Sequence, residues 1–361
     1  MGYNDLMRRM ADEHALMSVL LELTYRCNLD CFFCYNDIGL SGDRLSTEDY
    51  LQLLEDLRDL QVMVIVLSGG EPLASPAFWP IGKKAQELGF ITRIKSNGHA
   101  LTKDVATRIK IEIDPYVVEV SLHGARAATH DRQTRVQASF EKLMANLRDM
   151  REVGLRIKLN ATLTRWNEQE IERMFALADR MELPLSFDPV VTPGDNGDRK
   201  PLSICASAES VKRLYTILGN RKSDKVTRQK VAPRQNLRAP GQAGRKNCGT
   251  GSATLAVDPF GNVYPCIQWR RAVGNLHRQS IKEIWGGSPA LNEVRRLNAE
   301  AGRRVDRLGP MASDMGFCLG LAEELMGDPL AIYPQAERNL KVLRELQVQK
   351  ETIPLPIYGQ D

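Results

Sequence analysis

The stretch that decides the reading of this chain is Cys27-Asn28-Leu29-Asp30-Cys31-Phe32-Phe33-Cys34. Three cysteines fall on one short loop in a C-x3-C-x2-C pattern, with an aromatic residue just before the last. Thiolates at Cys27, Cys31 and Cys34 can ligate three irons of a [4Fe–4S] cube and leave the fourth iron without a protein ligand. A cluster built only to store an electron takes four cysteines, so the missing fourth points to chemistry at iron.

The chain around this loop has 361 residues, enough for one large domain and a smaller one. A net charge of +4 is too small to imply nucleic acid. Apolar runs such as Val62–Leu67 are strand-sized and too short for a bilayer, and the start Met1–Asp5 lacks the basic and apolar marks of a signal peptide. The expectation is a cytoplasmic protein with no membrane partner. Seven cysteines, an odd number with a tight cluster, argue for metal over disulfides.

Strand-like and helical runs alternate outward from the loop. Strands are expected at Val19–Thr24, Val62–Leu67, Phe90–Lys95, Tyr116–Ser121, Leu155–Leu163 and Leu185–Val190. Helices are expected at Thr47–Leu60, Lys83–Leu88, Phe140–Val153 and Glu168–Met181. Regular β-α alternation implies an α/β fold with a parallel sheet and helices outside it. Polar, Gly-rich segments follow the carboxyl ends of several strands, where such folds place their active sites. After about residue 220 the pattern changes. Residues 221–246 carry nine Lys/Arg against one acid, Asp224, and read as a solvated linker or as a docking strip for an acidic peptide. A β-hairpin follows, with strand Thr254–Val257, a turn at 258–262 and a strand reaching Cys266, so that Cys248 and Cys266 flank it. Cys318 comes much later, and 338–348 reads as a helix.

The cysteine loop after a first strand resembles that of the radical S-adenosylmethionine (SAM) enzymes. Ser68-Gly69-Gly70-Glu71-Pro72, Ser96-Asn97-Gly98, Ser121-Leu122-His123-Gly124 and Arg135 follow in that family's order, over roughly residues 18–215. The resemblance implies a partial (β/α)6 TIM-like barrel. Gly69 and Gly70 would let the backbone approach a ligand closely. Glu71 would meet the amino group of SAM, and Ser96, Asn97 and Ser121 offer short polar side chains for its ribose or carboxylate. Arg135 offers a fork for a carboxylate, and Phe33 would lie beside the adenine. His123 reads as a lining residue. The implied chemistry is reductive cleavage of SAM to a 5′-deoxyadenosyl radical that abstracts hydrogen from a substrate.

Cys248, Cys266 and Cys318, with Gly261-Asn262-Val263-Tyr264-Pro265-Cys266, Val273-Gly274-Asn275-Leu276 and Ile284-Trp285, resemble the auxiliary-cluster domains called SPASM and twitch. Three cysteines imply one auxiliary [4Fe–4S] cluster. Its fourth ligand is open among substrate, water, Cys205 and Asp314. A domain that kept its fold and lost its cluster, and a zinc site, are the alternatives. The expected layout is an extension at 1–17, the barrel at 18–220, the linker at 221–246, a small hairpin-plus-helix domain at 247–330 and a helix with a tail at 331–361.

Proteins of this layout mostly modify ribosomally made peptides by crosslinking, oxidation or backbone excision. The first expectation is such a maturase, the second a twitch-type dehydrogenase of a small sugar-derived alcohol, the third a noncatalytic iron–sulfur scaffold that binds peptide. Glu71 and Arg135 speak against the third. With the first cysteine at 27, a peptide substrate would be recognised by a separate protein, by the basic strip or by the barrel mouth. The reductant would be a flavodoxin or ferredoxin. No catalytic acid or base can be read, though Asp188 and Asp195 are candidates near the barrel mouth.

Overall fold

A computed structural model describes residues 9–10, 12–223 and 246–352. Most of the basic strip and the Pro354-Leu355-Pro356 tail lie outside the described residues.

Six strands form a parallel run: β1 (Ser18–Glu22), β2 (Val64–Ser68), β3 (Ile91–Ser96), β4 (Val117–Ser121), β5 (Ile157–Thr162) and β6 (Leu185–Asp188). Between them run α1 (Thr47–Asp59), α2 (Phe78–Glu87), α3 (Lys103–Glu112), α4 (Ala127–Thr134), α5 (Ser139–Glu152) and α6 (Ile171–Arg180), and α7 (Ala208–Ser223) follows β6. This is the expected partial barrel.

Alternation along each strand decides its two faces. In β5, Ile157, Leu159 and Ala161 are buried in the core, while Lys158, Asn160 and Thr162 point the other way, into the lumen. Leu54 and Leu57 of α1, Ile81 of α2, Ile109 of α3 and Leu147 of α5 are fully buried in that same core. Each contributes on the order of 2–3 kcal/mol by leaving water. Ser46 and Asp49 cap α1 reciprocally, which fixes where the chain turns outward.

The region after residue 246 brings the main departure from the sequence reading. The hairpin of β7 (Thr254–Val257) and β8 (Asn262–Tyr264) forms as expected, and β9 (Gly274–Asn275) adds a third strand. The hairpin does not stand apart. β7 pairs in parallel with β1, from Ser18↔Thr254 to Leu21↔Val257, so one nine-stranded sheet runs β6-β5-β4-β3-β2-β1-β7-β8-β9. The open edge of β1 is thereby covered.

Helices α8 (Ile281–Gly287), α9 (Pro289–Arg307), α10 (Leu319–Met326) and α11 (Pro334–Thr352) complete the chain. The sequence reading expected a helix beside the hairpin without giving its bounds, and the 19-residue α9 lies in that region. Helix α6 begins later than expected because Glu168–Glu170 form a 3-10 turn. There the buried Glu170 carboxylate accepts from the Ala125 amide (2.8 Å) and the Thr129 hydroxyl (2.7 Å). Among the described residues, no helix is long and apolar enough to cross a membrane.

Candidate active site

The cysteine loop hangs from the end of β1 and is gripped on two sides. On one side the Gly70 amide donates to the Thr24 carbonyl (2.7 Å) and the Glu71 amide to the Arg26 carbonyl (2.9 Å). A Cβ on Gly70 would lie 2.5 Å from the Arg26 carbonyl oxygen, and one on Gly69 would strike that of Thr24. The close approach that these glycines permit is therefore to the root of the cysteine loop, where the sequence had suggested a ligand. Gly69, at φ 132°, also has a backbone that side chains resist.

On the other side the loop docks on the end of α4, with the Asp30 amide donating to Thr134 O (3.1 Å) and Phe32 to Gln133 O (3.0 Å). Arg135 closes α4 in a left-handed conformation, pairs with Asp30 (3.2 Å) and lies 4.9 Å over the Phe32 ring. Its fork thus serves the loop in this structure.

Burial pushes the Cys31 thiol far up, and Cys34 and Cys27 add to it; burial likewise raises Cys34, to about 11, and Cys27. Three such thiols are costly to ionise together unless positive charge is bound among them. The Asn97 side-chain Nδ2 points at Cys27 Sγ (3.6 Å) and donates to Asn28 Oδ1 (2.8 Å), which orients the loop further. A donor set of this kind fits an iron–sulfur cluster held by Cys27, Cys31 and Cys34.

Glu71 is almost fully buried. Its carboxylate accepts from Ser96 Oγ (2.9 and 3.0 Å), the Asn97 amide (2.9 Å) and the Leu73 amide (3.4 Å). Among the described residues it has no cationic partner. Burial pushes its carboxyl up to about 7 despite these hydrogen bonds. A buried carboxylate with neutral donors and no counter-charge fits the amino group of SAM. Ser96, expected to touch the cofactor, has its hydroxyl committed to Glu71 and to the Gly98 amide (3.0 Å), so it positions Glu71. Ser121 ends β4, half-buried. Phe33 meets the His123 ring edge-on at 4.8 Å. His123 is buried, and desolvation with His130 nearby lowers it to about 3, so it lines the site uncharged.

Cys248, Cys266 and Cys318 form the second set. Burial, then Cys266, pushes Cys248 up to about 12, with Cys318 adding to the effect, so the three thiols share one neighbourhood. Cys318 is the N-cap of α10, where helix dipoles favour a thiolate. Among the described residues no three His, Cys, Asp or Glu side chains converge to hold a single metal ion.

Asn298 of α9, fully buried, holds the Cys248 loop. Its Oδ1 accepts from Asn247 (2.9 Å) and Cys248 (3.2 Å), and its Nδ2 donates to Cys248 O and Thr250 O (both 2.9 Å). Cys205 pairs across a bridge with Thr164, and Arg338 and Arg165 are the charges that bear on it. Asp314 ends a short 3-10 helix four residues before Cys318.

Arg270 joins the two sets and was not anticipated. Four residues beyond Cys266, it makes a bidentate pair with the fully buried Glu22 (2.7 and 3.0 Å) and an ion pair with Asp195 (2.8 Å). Tyr25 OH also donates to Glu22 (3.2 Å), and Asp195 N donates to Tyr35 O (2.7 Å), next to Cys34. Burial raises Asp195 to about 6 although Arg270 opposes it. The one signal in the sequence was a carboxylate, Glu22, inside the apolar run of β1. Asp188 ends β6 at the mouth, its carboxylate accepting from Val190 N (3.0 Å).

Comparison with known proteins agrees with this geometry. The chain is 30% identical over 282 residues to mycofactocin maturase MftC of Mycolicibacterium smegmatis, covering 76% of this chain and 71% of the relative. It is 28% identical over 342 residues to the PqqA peptide cyclase of Ruegeria pomeroyi, covering 90% and 88%. It is 25% identical over 293 residues to the AdoMet-dependent heme synthase of Methanosarcina barkeri, covering 76% and 83%. In fold it resembles native anSMEcpe with bound AdoMet and Kp18Cys peptide, with a TM-score of 0.71 at 15% identity over 92% of this chain and 97% of that one. The pattern of the radical SAM superfamily matches residues 21–178, and that of an iron–sulfur cluster-binding domain, SPASM, matches 248–307. The chain therefore belongs to the radical SAM superfamily, an enzyme of [4Fe–4S] cluster and SAM chemistry with a C-terminal SPASM domain for auxiliary iron–sulfur binding.

Proposed function

We propose that this enzyme matures a ribosomally synthesised peptide, abstracting hydrogen from it to form a crosslink, an oxidised side chain or an excised backbone segment. The observation that carries the reading is the likeness to a peptide cyclase along nine-tenths of the chain. In this reading Cys27, Cys31 and Cys34 hold the SAM cluster and Glu71 receives the amino group of SAM. Asn97, Ser121, Arg135 and Phe33 border the nucleoside, and Cys248, Cys266 and Cys318 hold one auxiliary cluster. When bound, the cluster and SAM supply the one-electron cleavage that generates the abstracting radical. The protein orients the reactants and keeps water from the mouth.

A small-molecule substrate is the second reading, favoured by the likeness to a heme synthase. The deciding experiment incubates anaerobically reconstituted enzyme with SAM, a flavodoxin or ferredoxin reductant and candidate precursor peptides, and follows peptide mass. Loss of two hydrogens supports oxidation or crosslinking, and loss of a larger fragment supports excision. Turnover of small molecules with inert peptides would retire the first reading.

A further inference from the structure

The lumen of the partial barrel carries a set of hydrogen-bond donors with too few acceptors. Arg93 and Lys95 of β3, Glu119 of β4, and Lys158 and Asn160 of β5 all lie on the face opposite the core residues Ile94, Val118, Val120 and Leu159. Strand register places Lys95, Glu119 and Lys158 in one row across three neighbouring strands. Ser186 of β6 stands opposite Asn160, while the next residue, Phe187, packs outward on Phe175 of α6 (5.3 Å).

Glu119 is the acid of this group, and it is already engaged. Arg93 pairs with it, and Asn160 Nδ2 donates to it (2.9 Å). Burial would raise Glu119, yet Lys95, Arg93 and Lys158 together hold it below the usual carboxylate range, so all three cations bear on one point. Three cations against one carboxylate leave an excess of two positive charges. Among the described residues Lys95 and Lys158 make no ion pair or hydrogen bond, and neither the buried Arg93 Nε nor the buried Ser186 Oγ has a partner. Lys95 is solvent-exposed, so this inner wall is open to a ligand. Of the other acids, Asp188 ends β6, and Glu22 and Asp195 are both bound to Arg270.

Like cations around a single neutralised acid are unfavourable unless an anion joins them. We propose that Lys95, Lys158 and Arg93 form an anion subsite on the inner wall of the barrel that takes a carboxylate of the substrate. The proposal rests on the reading of the barrel mouth as the place where substrate meets the radical. A carboxylate is what a peptide terminus or acidic side chain shares with the propionates of a tetrapyrrole.

The test uses the reconstituted full-length enzyme and four probes at constant ionic strength, read by equilibrium binding. They are a pool of N-acetylated tetrapeptides with free carboxyl termini, the same pool amidated, a tetrapyrrole bearing propionates, and inorganic phosphate. The expected result is that a carboxylate probe binds and weakens about tenfold or more in Lys95→Met and in Lys158→Met. Lys95→Arg is expected to retain most of the binding. Preference for the peptide acids keeps the peptide reading, whereas preference for the tetrapyrrole keeps the subsite and retires that reading. The proposal fails if amidated peptides bind as well as the acids, or if phosphate alone binds. It also fails if both Met variants leave carboxylate binding intact, or if SAM affinity falls as far as probe affinity, because the lysines would then serve the cofactor.

Discussion

Glu71 carries its charge badly while alone, and that gives it opposite effects on stability and on binding. In the unfolded chain its carboxyl titrates near the ordinary 4.5, whereas burial raises it to about 7 in the fold. Between those values the unfolded chain releases a proton that the fold retains, so stability contributed below pH 4.5 is lost as pH rises to about 7. By pH 8 the loss amounts to about 3 kcal/mol. Glu71→Gln should therefore make the cofactor-free protein more resistant to urea at pH 8, with little change at pH 5. The same variant should weaken SAM binding at least tenfold by calorimetry. Wild-type affinity should climb as pH rises through 7, and the variant's should stay flat.

Glu71 could be found in the sequence because its role goes with a contiguous turn, Gly69-Gly70-Glu71-Pro72, and local spacing survives any uncertainty about packing. Lys95 and Lys158 left a fainter trace. Each alternates with core residues in its strand, Thr92-Arg93-Ile94-Lys95 and Ile157-Lys158-Leu159-Asn160, which marks a polar inner face but not which cations meet across it.

Among the elements, α9 matters most to the second cysteine set. Its Asn298 makes four hydrogen bonds to the backbone of residues 247–250 and leaves no polar atom of that side chain to spare. Asn298→Ala would strip the Cys248 loop of these bonds and leave buried backbone groups unpaired, at about 1–3 kcal/mol for each unsatisfied group. In a Cys27/Cys31/Cys34→Ala background, where about four irons should remain for one auxiliary cube, the added substitution should lower iron content toward none. Iron assay with Mössbauer spectroscopy would show it, and full retention would mean that the loop is held by the cysteines themselves. Nothing in the sequence singles out Asn298, since its partners are some fifty residues away and are backbone groups. The hairpin, by contrast, was readable from its Asp258-Pro259-Phe260-Gly261-Asn262 turn, whereas its attachment to β1 depends on which strand edge is bare after folding.

Across the whole molecule, Arg270 ties the residues beyond Cys266 to the base of the first cysteine loop through Glu22. Arg270→Met would strand a fully buried carboxylate, a loss of about 3–5 kcal/mol. Adding Glu22→Leu should recover much of it, since the pair would then be replaced by apolar groups. A double-mutant cycle in guanidinium chloride measures the coupling, and additive effects would show that the pair does not join the two regions energetically.

The parallel ladder between β1 and β7 bears on how the polypeptide can be divided. A fragment ending at residue 223 would leave the inner strand that carries Val19 and Leu21 with one flank of amides and carbonyls bare. Such a flank recruits strands from other copies. The fragment should elute from a sizing column as soluble aggregates, and a well-behaved monomer would refute this. Evolution could thus trim or duplicate the iron-binding C-terminal part only by supplying another strand in its place, so gene fusions that exchange this part should preserve a segment to zip along the first strand.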